Sequence, residues 1–315
     1  MLINRISPTD RPPRVRRVAT FLDLIKFSHT IFALPFALVA TFLAVRSTGG
    51  RFPDIAQLGL ILWCMVSART FAMTFNRLID RSFDARNPRT RQRPSVTGAL
   101  SARWMSGAAA ISAVAFVVGA LGFEILFANP WPVILAVPVL LFIAFYSFTK
   151  RFTWLCHFVI GASLALAPLS AWIALVPPRG PLIDLQILWL AIAVGAWTAG
   201  FDLLYSLQDM PIDRREGLFS IPARFGPRVA LVISRMLHAI TILALAAFGA
   251  AWGGGIALGS IYWIGWVVAA ALLIIEQSLV KPDDFSRVNL AFMTINGIVG
   301  IVFGGLGITA ILIQR

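Results

Sequence analysis

Runs of apolar residues, each about 20 positions long and separated by short polar stretches, recur from about residue 21 to the end of the chain. Runs of that length cross the hydrocarbon core of a bilayer as helices. The pattern predicts about nine of them, near 21–46, 55–82, 103–123, 131–148, 153–175, 184–208, 227–249, 255–279 and 287–313. The breaks between them are too short for a second, soluble domain. The expected fold is therefore all-α: a multi-pass membrane protein with about nine transmembrane helices in one bundle. Residues 21–315 would form this single domain, after a basic, Pro-rich tail over residues 1–20 that lacks the small-residue cleavage site of a signal peptide.

Composition agrees, since 58% of the 315 residues are hydrophobic and 13% are charged, which excludes an ordinary soluble domain. The formal net charge is +13. The basic residues lie at the ends of the apolar runs rather than along one amphipathic face, so they point to a membrane surface and phosphate, not to nucleic acid. Cys64 and Cys156 both fall inside predicted spans, and no structural disulfide is expected. The basic breaks are the tail, Asp84 to Arg103, Lys150-Arg151, Asp213 to Arg228 and Lys281 to Arg287. They alternate with breaks poor in Lys and Arg, such as Glu124 to Pro130 and Gly253 to Gly255. By the positive-inside rule the basic set faces the cytoplasm, with the N-terminus inside and the C-terminus outside.

Two polar segments interrupt this regularity. In FNRLIDRSFDARNPRTRQRP, Phe75 to Pro94, an apolar run leads straight into Asn76, Asp80 and Asp84 at a four-residue spacing. The sixth span ends with the same spacing in Tyr205, Asp209 and Asp213, with Asp202 near that face. Each segment continues into an Arg-containing loop closed by Pro, so the bundle reads as two pseudo-repeated halves whose acidic ends share one membrane face. Carboxylates beside apolar spans are unfavourable unless paired, hydrated or bound to a cation. For Asp84 or Asp213 alone, a solvated helix end is the competing reading; the repeated spacing favours function. Oxygen donors without His or Cys suit a hard ion, Mg²⁺ where the partner is a phosphate. The first segment is surrounded by Arg77, Arg81, Arg86, Arg89, Arg91 and Arg93, and the second is followed by Arg214, Arg215 and Arg224. The positive-inside rule accounts for most of these arginines but not for the acids among them. Together they suit a pyrophosphate whose organic tail lies in the bilayer.

NRLIDRSFDARNPRTRQRP resembles the signature of the UbiA superfamily of intramembrane prenyltransferases, with its Asn-x-x-x-Asp-x-x-x-Asp core. DLLYSLQDMPIDRREGLFSIP is similar to that family's second Asp-rich motif, and YSFTKR, Tyr146 to Arg151, to its Tyr-x-x-x-Lys element. KFSHTIFALPFALVA, Lys26 to Ala40, resembles the first helix of the branch that prenylates carboxylated aromatic rings. The resemblance implies Mg²⁺-dependent transfer of a polyprenyl group from its pyrophosphate to a carboxylated phenol, in respiratory quinone synthesis. The acceptor would be 4-hydroxybenzoate or, in a related branch leading to menaquinone, 1,4-dihydroxy-6-naphthoate.

On that reading Asn76, Asp80 and Asp84 would hold one Mg²⁺, and Asp209 and Asp213 a second. Arg77, Tyr146, Lys150, Tyr205 and Asp202 would bind substrate. Arg69, two turns before Asn76, would meet the acceptor carboxylate or the pyrophosphate, with a structural ion pair as the competing role. Lys150 can also be read as a snorkelling anchor. His29 is a pocket residue by resemblance alone, while His157 and His238 carry no supporting spacing. Trp172, Trp197 and Phe201 would line a prenyl tunnel or serve as packing, and Gly297, Gly300, Gly304, Gly305 and Gly307 read as close helix contacts. The expected location is a bacterial inner membrane, with the site on the cytoplasmic side. A cation-coupled transporter also fits paired halves bearing acids, but its acids would lie at mid-membrane rather than at span ends.

Overall fold

The computed structural model describes residues 32–176 and 183–314, together with Thr20, Phe21 and Leu24. The tail expected over residues 1–20, apart from Thr20, lies outside the described residues, as do Lys26 and His29. The chain is all-helical, with no strand among the described residues and one isolated bridge between Lys281 and Asp284. Helix α1 is Leu34–Ser47, α2 Ile55–Ile79, α3 Arg81–Arg86, α4 Pro94–Thr97, α5 Ala102–Phe127 and α6 Trp131–Thr149. Helix α7 is Cys156–Leu175, α8 Leu185–Ser206, α9 Met210–Arg215, α10 Ile221–Gly249, α11 Ser260–Leu279 and α12 Asn296–Ile313. Eight helical segments are long and apolar enough to span a membrane, and α1 is a shorter apolar helix beside them, which gives the expected nine.

Helix starts follow local chemistry. Asp54 caps α2 through a reciprocal box with Gln57, and Ser101, Asp184 and Ser220 each accept a backbone N–H at the starts of α5, α8 and α10. The expected start of α10 at Pro227 is six residues late. Ser220 and Pro222 begin a turn earlier, and the Gly226-Pro227 pair makes a kink inside the helix instead of a start. Gly226 sits at φ 83°, which a side chain would strain. The last span also begins differently from expectation, through a π-turn at Leu290–Ile295.

The most buried helix is α8, which packs between α7 and α10, while α7 and α12 both flank α1. The pairing of α8 with α10 has its counterpart in that of α2 with α5, as expected for two related halves. Small residues allow the close approaches. A Cβ on Gly304 of α12 would collide with Pro35 of α1, so that contact is backbone-close, as the glycine pattern implied. Outward faces such as Ile111, Val114 and Ile125 on α5 remain exposed, as lipid-facing residues should. Cys64 and Cys156 are free thiols.

Lipid gives helices little hydrophobic reason to associate, so packing and interhelical hydrogen bonds carry more of the specificity. One such network ties α8, α11 and α12 together. Trp197 Nε1 donates to Asn296 Oδ1 at 2.6 Å, and Asn296 Nδ2 donates to Glu276 Oε1 at 2.7 Å and to the Ala291 carbonyl within the π-turn at 3.1 Å. Gln277 Nε2 donates to Ser234 and to His238 of α10 at 2.8 and 2.9 Å. Glu276→Ala is expected to destabilise the folded bundle by about 1–3 kcal/mol, because it leaves one buried N–H of the Asn296 amide without its acceptor. Glu276→Gln, which keeps the acceptor oxygen, should stay near wild type in a thermal melt in detergent.

Candidate active site

The two acidic segments use one backbone device. Helix α2 ends at Ile79, and Asp80 (φ −90°, ψ 4°) bends the chain before α3 resumes with Asp84 in its first turn. Helix α8 ends at Ser206 and passes through a 3₁₀ turn, Leu207–Asp209. Asp209 (φ −93°, ψ −6°) then bends the chain into α9, with Asp213 in its first turn. The amides of Asp80 and Asp84 still reach back four residues, so the helix is kinked and not interrupted. The straight stripes expected from the spacing are therefore angled segments, bent at the middle Asp of each.

The bends let the halves exchange partners. Arg89, in the loop after α3, forms a fork on Asp209 (Nε–Oδ1 3.0 Å, Nη2–Oδ2 2.6 Å), and its Nη1 donates to Tyr205 Oη at 2.7 Å. Asn87 Nδ2 adds a bond to Asp209 at 2.9 Å. Arg86 pairs with Glu216 at 2.5 Å, a second bridge between the halves. Within the first half Arg93 Nη1 grips both oxygens of Asp84 at 2.7 and 2.8 Å. Lys150, at the C-terminus of α6, holds Asp213 at 3.0 Å and is not a snorkelling anchor. Asp84 and Asp213 are both buried, which removes the solvated-end reading for each. Asp80 is served more loosely, by Asn76 Nδ2 at 2.8 Å and by Arg151 at 3.5 Å.

Electrostatics follow this geometry. Burial raises the Asp80 carboxyl above its ordinary range, with the nearby Asp84 charge adding to the effect and Arg151 and Arg77 only partly offsetting it. Asp80 is thus a carboxylate whose charge its protein neighbours leave partly uncompensated, and an added cation would complete the compensation. Burial alone would lower the Lys150 ammonium, but Asp213 and Asp209 outweigh it and hold the group above its usual value.

Apart from the Arg86–Glu216 pair, these groups stand at the mouth of one cavity of about 470 Å³. Asn76, Arg77, Asp80, Asp84, Tyr146, Lys150, Asp202, Tyr205, Asp209 and Asp213 line it, and so does Arg69 further down α2. Below them the walls become apolar, with Ile61, Met65 and Ala68 of α2, Phe116, Ala120 and Phe123 of α5, Leu135 and Val139 of α6, and Leu164 and Ala167 of α7. From Asn76 to Ile61 the shaft follows α2 for roughly 22 Å, at 1.5 Å per residue. Phe201 lines the cavity, whereas Trp172 and Trp197 belong to the packed core.

Among the described residues, no group of three or more Asp, Glu, His or Cys side chains forms a metal cage. Each carboxylate at the mouth faces Arg or Lys, the cations a phosphate would draw toward itself. The donors on offer are carboxylate and amide oxygens, a set that fits a hard divalent ion. Asn87, Arg89, Arg93 and Arg151 also line the cavity, although none was singled out from the sequence as a site residue. Their arginines were legible only as part of a basic loop. His157 was missed as well: buried in α7, its Nδ1 lies 2.7 Å from Asp202 Oδ2.

The family model described as UbiA prenyltransferase family matches residues 33–298. A curated relative from Chromohalobacter salexigens, named 4-hydroxybenzoate octaprenyltransferase, is 27% identical over 96% of this chain and 97% of its own. Among solved structures, the apo structure of a UbiA homolog from Aeropyrum pernix K1 superposes with a TM-score of 0.77 at 31% identity, covering 88% of this chain and 96% of that one. A UbiA homolog from Archaeoglobus fulgidus bound to DMAPP and Mg²⁺ gives 0.68 at 20% identity over 94% and 100% of the two chains, a likeness of fold.

Proposed function

Since the chain belongs to the UbiA prenyltransferase family, we propose that it transfers a polyprenyl group from a polyprenyl pyrophosphate to a carboxylated phenolic ring, 4-hydroxybenzoate or a close analogue, in respiratory quinone synthesis. The observation that carries the reading is the junction of two chemistries in one cavity: four Asp with their Arg and Lys partners at the mouth, and an apolar shaft behind them. A pyrophosphate with a long hydrocarbon tail is the ligand that satisfies both ends. The name of the Chromohalobacter salexigens relative supports the acceptor class. The basic breaks support a site facing the cytoplasm of a bacterial inner membrane.

The residues divide the work by position. Arg89, Arg93, Lys150 and Arg151 bind the pyrophosphate oxygens and stabilise the negative charge that grows there as the allylic C–O bond breaks. Asn76, Asp80 and Asp84 in one half and Asp209 and Asp213 in the other would hold Mg²⁺, which supplies further neutralisation of the leaving group. The apolar shaft holds the chain and excludes water that would otherwise capture the allylic cation. Tyr146 lines the cavity and would flank the carbocation, while Tyr205, packed on Phe292 and lying under the Arg89 guanidinium, would position that arginine. Arg69, on the wall below Asn76, would meet the acceptor carboxylate or reach the pyrophosphate.

The test is a membrane-fraction assay with Mg²⁺ and polyprenyl pyrophosphate, offering 4-hydroxybenzoate and 1,4-dihydroxy-6-naphthoate in separate reactions and following product by mass. A prenylated product that disappears with EDTA is expected, and the preferred acceptor assigns the pathway branch. Donor binding without product from either ring would remove the acceptor class. Absence of donor binding by folded protein would remove the prenyltransferase reading and favour a carrier.

A further inference from the structure

Four carboxylates at the mouth are claimed by Arg or Lys, but Asp202 is engaged differently. It lies seven residues before Asp209 on α8, about 10 Å deeper along the helix axis at 1.5 Å per residue, where the pyrophosphate site gives way to the apolar shaft. Its partner is His157 of α7, at 2.7 Å between Nδ1 and Oδ2. An ionised carboxylate can only accept, so Nδ1 carries a proton and His157 donates it. The imidazole is fully buried, and its other nitrogen, Nε2, has no hydrogen-bond partner among the described residues. The ring is thus aimed at Asp202, whose carboxylate retains 20% exposure and lines the cavity. Tyr146 and Cys156 are the ionisable side chains beside the pair.

This is the arrangement of an oriented base: a carboxylate with one edge fixed by a dedicated buried donor and the other edge open to the substrate space. We propose that His157 is a positioning residue that reserves Asp202 for the aromatic hydroxyl of the acceptor; the inference rests on the prenyl-transfer reading above. Asp202 takes the hydroxyl proton as the ring carbon forms its bond to the allylic carbon. The electron pair of the broken C–O bond leaves with the pyrophosphate. The ring carbon then loses its hydrogen as a proton to the departing pyrophosphate, and Asp202 returns its proton to the ring oxygen. One C–O bond breaks, one C–C bond forms, and the released proton ends on pyrophosphate.

The test compares wild type with His157→Ala and His157→Gln at saturating donor, varying the acceptor and the pH. His157→Ala should lower kcat/KM for the acceptor by roughly 10- to 100-fold, the usual effect of removing a partner that orients a functional group, with donor KM unchanged. Loss of the donated hydrogen bond disfavours the ionised carboxylate, so the acid limb of the acceptor profile should move to higher pH. His157→Gln, whose amide can still donate, should recover much of the rate. A ring-fluorinated acceptor with a more acidic hydroxyl should be impaired less by His157→Ala than the parent acceptor. Equal losses for donor and acceptor, an unmoved pH profile and no benefit from the fluorinated ring would overturn the proposal and leave His157 a packing residue. If wild type itself prenylates no aromatic ring, the functional reading fails first, and this inference with it.

Discussion

Asp209→Asn is expected to lower turnover by on the order of 10²- to 10³-fold, the scale seen when one preorganised charge-stabilising group is removed, while the protein remains folded. The substitution keeps the shape of the side chain and removes its charge. In the resting protein that charge is shared by the Arg89 fork and Asn87, both from the opposite half. With Asn in place the guanidinium keeps its bond to Tyr205 and is freer to meet phosphate, so donor binding should persist as catalysis collapses. That split between retained binding and lost turnover distinguishes a site residue from a structural one. It can be read by tryptophan-fluorescence titration of the donor beside product formation followed by mass. Asp80→Asn, at the matching bend, should show the same split, and near-normal turnover in either variant would dismantle the two-half site.

The largest stability effect is expected at Trp197, where truncation to Ala should remove about 3–5 kcal/mol. The indole is 1% exposed and packs against Phe32, Phe36 and Phe201, with ring centroids 5.1–6.2 Å away. Its N–H also anchors Asn296, and through it Glu276 and the π-turn. Truncation opens a cavity at the centre of the bundle and releases the network that joins α8, α11 and α12. Trp197→Phe retains most of the ring packing and loses only the hydrogen bond, so it should lose about 1 kcal/mol. Unfolding midpoints of the two variants in one detergent give the comparison; equal midpoints would show that ring volume at this position contributes nothing and would overturn the cavity argument.

Much of this molecule could be read from local pattern. Apolar run length fixes the number of spans, because lipid leaves the backbone few choices but helices. The spacing of Asn76, Asp80 and Asp84 against Tyr205, Asp209 and Asp213 marked two related segments, and the structure places all six on one cavity. What escaped depended on distance along the chain. Arg89 and Asp209 are 120 residues apart, and nothing near Arg89 separates it from arginines that only obey the positive-inside rule. His157 meets Asp202 across 45 residues, and a lone histidine in an apolar span has no period to betray it. The bends at Asp80 and Asp209 were hidden for another reason: spacing by four is the same in a straight helix and in a kinked one that keeps its hydrogen bonds. The π-turn before α12 depends on Asn296 satisfying the Ala291 carbonyl, a contact that no propensity scale contains.

The Arg89–Asp209 fork and the Arg93–Asp84 pair also bear on how the protein should respond to ionic strength. An ordinary basic patch is dressed in mobile ions, which an arriving anion must displace, and its affinity falls steeply as salt is added. Here the guanidinium groups already carry tethered counterions, Asp209 and Asp84, held by the fold. A pyrophosphate therefore enters by exchange with carboxylates whose local concentration bulk salt does not change. Its affinity should depend on salt more weakly than the +13 net charge suggests.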